Sequence, residues 1–231
     1  MKRDFLDLSS LSPAELSGLL ALGARLKAEL KIGLEHPYLR GKTLAMVFQK
    51  PSLRTRITFE TGMAQLGGHA IYLAPNDIGI GERESVKDVE RNLSRWVDLI
   101  MIRTFAHEIV VEMARYASIP VINGLTDYSH PCQALADYLT MLEVKGHIAG
   151  LKIAYIGDGN NVAHSLMFAG AQLGAHVWIA TPPGYEPDGN AFTWTAERCA
   201  LTGASCTLTH DPQIAAYGAD VVYTDVWTSM G

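Results

Sequence analysis

The chain has 231 residues, 48% of them hydrophobic and 19% charged, a balance that excludes a disordered polypeptide and leaves room for two α/β lobes of ordinary size. The 24 acidic residues against 19 basic ones give a formal net charge of −5, which excludes the broad basic footprint of a nucleic-acid or anionic-membrane binder. No segment has the unbroken apolar length of a membrane span, and Cys132, Cys199 and Cys206 form no Cys-x-x-Cys pair. A reduced, cytoplasmic protein without a disulfide framework or zinc cluster is therefore expected.

Ser12-Pro13-Ala14-Glu15 is a capping box with proline at the first helical position, and Leu16 to Leu30 keep apolar residues three and four apart, which predicts a first helix. Short apolar runs then alternate with helical patterns: strand 43–48, helix 53–66, strand 69–73, helix 85–96, strand 98–103, helix 107–117 and strand 119–122. A helix over 131–145 follows, punctuated by Gly146 and Gly150. The alternation resumes as strand 151–156, helix 161–173, strand 176–180, helix 191–201, strand 205–208, helix 212–217 and strand 221–224. This is the rhythm of parallel sheets with helices on both faces. The expected fold is α/β: two doubly wound parallel-sheet lobes, residues 1–149 and 150–231, joined by the 131–145 helix. The second lobe supplies about four strands where such lobes usually carry more, so it reads as incomplete.

Chemistry concentrates where strands give way to helices. Residues 48–56, Phe-Gln-Lys-Pro-Ser-Leu-Arg-Thr-Arg, follow the apolar run Thr43–Val47 and open a helix near Ser52. The first turn of a helix carries backbone N–H groups without intrahelical partners, and these favour an anion. Ser52 and Thr55 add hydroxyls, while Arg54 and Arg56 add forks of donors suited to phosphate. A helix cap beside a solvated arginine face is the competing reading. Hydroxyl, Arg, hydroxyl and Arg within five residues favour the anion site. Arg103, directly after strand 98–102, and His130-Pro131-Cys132-Gln133, at the start of a helix, are expected on the same carboxyl edge of the first sheet. His130 alone, however, reads more readily as a structural residue, and Cys132 as packing.

In the second lobe, Gly157-Asp158-Gly159-Asn160-Asn161 follows a strand like a dinucleotide turn, but Val162 replaces the third glycine and the next strand ends at Ala180-Thr181 without an acid for a ribose. Asn161 is the residue expected to reach a polar ligand. Asp225, after strand 221–224, can hold an ammonium group or merely cap its loop.

In order and spacing, the blocks Ser52-Leu53-Arg54-Thr55-Arg56, His130-Pro131-Cys132-Gln133, Gly157 to Asn161 and Asp225-Val226-Trp227-Thr228-Ser229-Met230-Gly231 resemble those of ornithine carbamoyltransferases. The resemblance spans the chain, and the Ser-Met-Gly ending resembles the ornithine-using branch rather than the aspartate one. It implies that Ser52, Leu53, Arg54, Thr55 and Arg103 bind the phosphate of carbamoyl phosphate, and that His130 and Gln133 grip its carbamoyl group. Asn161, Asp225, Ser229 and Met230 would bind L-ornithine, Asp225 taking the α-ammonium, with Arg54, Arg103 and His130 as the catalytic groups. It further implies carbamoyl transfer to the δ-amine giving L-citrulline, with no metal or cofactor, in a homotrimer or a multiple of trimers. Transfer to another amine, such as putrescine or an acylated ornithine, and a nucleotide-binding oxidoreductase are the alternatives. Three features depart from the pattern: Leu53 stands where Thr is common, Gly79 where Gln or His is frequent, and the His-Cys-Leu-Pro segment and closing helix have no counterpart.

Overall fold

The computed structural model describes residues 2–80 and 84–226. The chain divides into two compact units, one formed by Met1–Leu6 and Arg25–Asp127, the other by Asp7–Ala24 and Tyr128–Gly231. Each unit contains a four-stranded, all-parallel sheet flanked by helices. The first helix, α1 (Pro13–Lys31), contains the division between residues 24 and 25. Its capping box forms as expected: Glu15 N donates to Ser12 Oγ at 3.3 Å, and Ser12 N donates back to Glu15 Oε2 at 2.8 Å. No helix among the described residues is long and apolar enough to cross a membrane.

The first unit runs β1 (Thr43–Phe48), α2 (Leu53–Gln65), β2 (His69–Leu73), α3 (Pro75–Ile78), α4 (Val86–Trp96), β3 (Leu99–Arg103), α5 (His107–Tyr116) and β4 (Val121–Leu125). Its strand order is β2-β1-β3-β4. The unbroken apolar run of β1 is explained by burial on both faces. Ala45 and Val47 pack with Val86, Val89 and Leu93 of α4 and Val110 and Met113 of α5, whereas Leu44, Met46 and Phe48 pack with Phe59 and Met63 of α2.

β4 begins later and ends later than the expected 119–122, running through Asn123-Gly124, which reads as a turn in sequence. The Asn123 side chain is fully buried and Nδ2 donates to Leu6 O at 2.8 Å, while its backbone N donates to Phe5 O at 2.8 Å. Gly124 is needed because a Cβ there would meet Met101 Sδ at 2.6 Å. The short α3 has no sequence-based forecast.

The second unit runs α6 (Pro131–Lys145), β5 (Lys152–Ile156), α7 (Asn161–Leu173), β6 (His176–Ala180), α8 (Gly189–Thr202), β7 (Ser205–Thr209), α9 (Pro212–Ala216) and β8 (Val221–Thr224), in strand order β7-β6-β5-β8. The expected connector, α6, is grouped with this unit, as are residues 7–24. α7 is buried from Val162 through Gln172. Gly170 permits that burial, since a Cβ there would meet Val177 Cγ2 at 2.4 Å and Tyr138 Oη at 2.6 Å.

His164 on α7 clamps two loops. Its Nε2 accepts from Asp188 N at 2.9 Å, so the ring proton sits on Nδ1 and is donated to Tyr128 O at 2.8 Å. Burial holds the His164 pKa below its ordinary value. Protonation would remove the acceptor that Asp188 N–H uses. The neutral ring therefore stabilises the fold above the ordinary His value, and that contribution is lost as pH falls through it. Urea midpoints measured from about pH 7 to about pH 5 should fall for the native chain, while His164→Gln, weaker at the upper end, should show a flatter profile.

Candidate active site

In an open parallel sheet, ligands bind outside the strand carboxyl ends where the strand order reverses. The first unit reverses between β1 and β3, whose last residues, Phe48 and Arg103, are register partners. Gln49 N and Lys50 N both donate to Arg103 O, at 2.9 and 3.5 Å, which turns the chain into the loop before α2. Ser52 is the N-cap of α2, its Oγ accepting from Thr55 N at 3.3 Å and donating to Thr55 Oγ1 at 3.1 Å. Arg103 Nη1 donates to the same Thr55 Oγ1 at 3.1 Å. With its oxygen receiving two donors, the Thr55 hydroxyl proton is left to point at a ligand.

Arg103 is 5% exposed, and its Nε has no hydrogen-bond partner among the described residues. Burial first, and the neighbouring Arg54 second, lower its pKa. Lys50 is lowered in the same way, by burial and then by Arg103. Neither Arg54 nor Arg103 meets a carboxylate among the described residues. The arrangement gathers cationic side chains and a helix N-terminus at one strand edge, the chemistry that an anion site requires. Lys50, 5.2 Å over the Phe105 ring, is a further cation near Arg103 that the sequence reading left out. Leu53 opens α2 with a side chain 77% exposed, so only its backbone N–H is available to a ligand. Arg56 is a correction: it pairs with Glu60 at 2.9 Å and lies 3.9 Å over the Tyr72 ring, so it braces α2 against β2 instead of joining the anion pocket.

Two further residues brace the pocket and carry no sequence signal beyond their place at strand ends. Gln49 Nε2 donates to Ile80 O at 3.1 Å, and Thr104 Oγ1 donates to Gln49 Oε1. The loop so held contains Gly79, which ends α3 at φ 62°, ψ 48°, a left-handed conformation that favours glycine. This gives the Gly79 departure a backbone reason.

His130, Gln133, Asn161 and Asp225 lie in the second unit. His130 is the N-cap of α6 with Pro131 at the first position, as expected, and its backbone N donates to Ser165 Oγ at 2.8 Å. Gln133 Nε2 donates to Asp137 Oδ1 at 2.9 Å. Desolvation pushes the Cys132 thiol up to about 12, against a nucleophilic role.

The second sheet reverses between β5 and β8. Asn160 is the cap of α7: its Oδ1 accepts from Val162 N and Ala163 N, and its Nδ2 donates to Asp225 Oδ2 at 3.2 Å. Asp225 is thereby aimed from the end of β8 while remaining exposed. Ser229 and Met230 lie outside the described residues. The Gly157-x-Gly159 turn is backed by the protein's own chain: Gly159 N donates to Tyr185 O at 2.8 Å, and a Cβ at Gly159 would meet Pro187 N at 2.3 Å. The second glycine of a dinucleotide turn leaves room for a pyrophosphate, whereas here that space is filled by residues 185–187. Among the described residues, no group of His, Cys, Asp and Glu could hold a metal ion.

Residues 3–143 match the family described as aspartate/ornithine carbamoyltransferase, carbamoyl-P binding domain, and residues 149–231 match its Asp/Orn binding domain. Similar proteins include the ornithine carbamoyltransferase of Pyrococcus abyssi, 56% identical over 229 residues, covering 99% of this chain and 72% of the relative. That of Thermococcus kodakarensis is 56% identical, with 99% and 73% covered. Among solved structures, ornithine carbamoyltransferase from Pyrococcus furiosus superposes with a TM-score of 0.97 at 54% identity, covering 99% of this chain and 73% of that one. The anabolic enzyme from Campylobacter jejuni gives 0.94 at 38% identity, with 100% and 75% covered. With both domain profiles matched in order and relatives of this identity along nearly its whole length, the chain belongs to the aspartate/ornithine carbamoyltransferase family, on its ornithine carbamoyltransferase branch.

Proposed function

We propose that the chain transfers the carbamoyl group of carbamoyl phosphate to the δ-amine of L-ornithine, giving L-citrulline and phosphate. The observation that carries this reading is the buried Arg103, bound to Thr55 beside Arg54 and paired with no carboxylate among the described residues. In the proposed reaction the neutral δ-amine attacks the carbonyl carbon, a C–N bond forms, the C–O bond to phosphate breaks, and the leaving phosphate can take the proton the amine gives up. Ser52, Arg54, Thr55, Arg103 and the Leu53 backbone N–H would hold the phosphate and neutralise its charge as it departs. Thr55, Arg103 and His130 would donate to the carbonyl oxygen as it becomes negative. Gln133 would hold the carbamoyl nitrogen. Asp225 would take the α-ammonium, with Asn161, Ser229 and Met230 around the amino acid. We also propose a homotrimer or multiple of trimers in the cytoplasm, as the family resemblance implies, and the citrulline-forming direction, which the name of the anabolic Pyrococcus furiosus relative supports.

Arg54→Ala should nearly abolish citrulline formation, because removing one such donor raises the barrier by about 3–4 kcal/mol. A colorimetric citrulline assay checks this, and near-native turnover by the variant would defeat the assignment. Asp225→Asn removes a charge-assisted contact worth about 1.5–3 kcal/mol, so the KM for ornithine should rise roughly 10- to 100-fold while the affinity for carbamoyl phosphate holds. Steady-state kinetics with each substrate varied in turn separates the two.

A further inference from the structure

We propose that Asp137 is a positioning residue that fixes which end of the Gln133 amide faces the carbamoyl group, and that Tyr223 ties this setting to the strand carrying Asp225. The inference rests on the assignment of Gln133 to the carbamoyl group and adds to it the means of discrimination.

Gln133 and Asp137 are four residues apart on α6 and therefore share a helix face. Gln133 Nε2 donates to Asp137 Oδ1 at 2.9 Å, and Tyr223 Oη donates to Asp137 Oδ2 at 3.1 Å. Two donors on two oxygens are what an ionised carboxylate accepts, and a carboxylate has nothing to donate. Turning the Gln133 amide over would set its oxygen against that of Asp137, acceptor facing acceptor. The NH2 end is thus committed inward, and Oε1, which has no intramolecular partner among the described residues, is presented as an acceptor.

An outward acceptor reads an N–H donor. Carbamoyl and acetyl phosphate share the carbonyl and the phosphate, and differ in NH2 against CH3 at the carbon. An acceptor held in place by Asp137 therefore selects the acyl phosphate that carries N–H, and is left unpaired opposite a methyl group.

The setting is continuous with the amino-acid end of the second unit. The Tyr223 ring stacks on Tyr155 at 5.9 Å, Tyr155 Oη donates to Asp158 O at 2.8 Å and lies 3.3 Å from Asn160 Oδ1, and Asn160 Nδ2 holds Asp225. Tyr223 itself stands two residues before Asp225 on the same strand end.

The test is equilibrium binding of carbamoyl phosphate and of acetyl phosphate to the full chain by calorimetry, alongside citrulline kinetics. Asp137→Asn keeps an acceptor for Tyr223 and turns an amide N–H towards Gln133, which reverses the Gln133 amide. Its affinity for carbamoyl phosphate should fall by about tenfold or more, appearing in KM, while acetyl phosphate binds as before. In a Gln133→Ala background the same substitution should have no further effect. An equal loss for both ligands, or an undiminished loss in the Gln133→Ala background, overturns the proposal. Tyr223→Phe removes only the hydroxyl and should shift the same ratio in the same direction, which keeps the proposal testable where Asp137→Asn does not fold. A native chain that binds carbamoyl phosphate and responds in this way, yet makes no citrulline, defeats the proposed reaction and supports the positioning role. An unchanged ratio in a chain that makes citrulline does the reverse.

Discussion

The first unit is organised around a guanidinium taken out of water with no carboxylate among the described residues to receive it. Burying a lone charge costs roughly several kcal/mol, even after relaxation. Arg103 nevertheless sits 5% exposed with a neutral hydroxyl, Thr55 Oγ1, as its hydrogen-bond partner and a second arginine close enough to lower its pKa. Such an arrangement stabilises nothing in the free protein. An anion bound there, as proposed, would make it favourable, and with the donors already fixed little of the binding energy would be lost to reorganisation. The surrounding structure serves that fixation. β1 and β3 bring Phe48 and Arg103 into register, the 49–50 backbone closes on Arg103 O, and the Ser52 cap sets Thr55 where Arg103 reaches it.

The second unit meets a different requirement with the same topology. At its own reversal point, between β5 and β8, one side chain performs two tasks: Asn160 Oδ1 terminates the backbone donors of α7 while Nδ2 orients Asp225. Asp225 stays exposed and therefore hydrated. The contrast is one of charge and solvation. A buried guanidinium stands at the reversal point of one sheet, and an exposed carboxyl group at that of the other.

Much of the fold was legible because the inner strands β1, β3 and β5 are buried on two faces and therefore appear as short apolar runs. The capping box at Ser12 and the glycine-terminated helices mark their own ends. Ser52, Thr55 and Arg103 were legible as neighbours because strand ends in a parallel sheet must converge. What escaped notice depends on partners distant in sequence. Asn123-Gly124 has turn composition, and only the N-terminal residues Phe5 and Leu6 and the sulfur of Met101 make it a strand. Arg56 looks like a second phosphate ligand until Glu60 and Tyr72 claim it. Asp137 left one local trace, its four-residue spacing from Gln133, but Tyr223 lies 86 residues away.

The glycine turn after β5 shows why residue type alone underdetermines a site. In a dinucleotide-binding turn, missing side chains let a pyrophosphate approach the backbone; here the same absence lets residues 185–187 approach it, and His164 fastens that loop by accepting from Asp188 N. Backbone N–H groups that would otherwise bind phosphate are thereby spent inside the protein. Recognition at this edge then falls to side chains, and side chains with fixed hydrogen-bond polarity discriminate in a way that a cradle of N–H groups does not. A row of donors accepts any oxyanion of suitable size. A carboxamide pinned by a carboxylate, or a carboxylate pinned by a carboxamide, demands a donor of stated position, and in the proposed reaction an amine and a carbamoyl nitrogen would provide one.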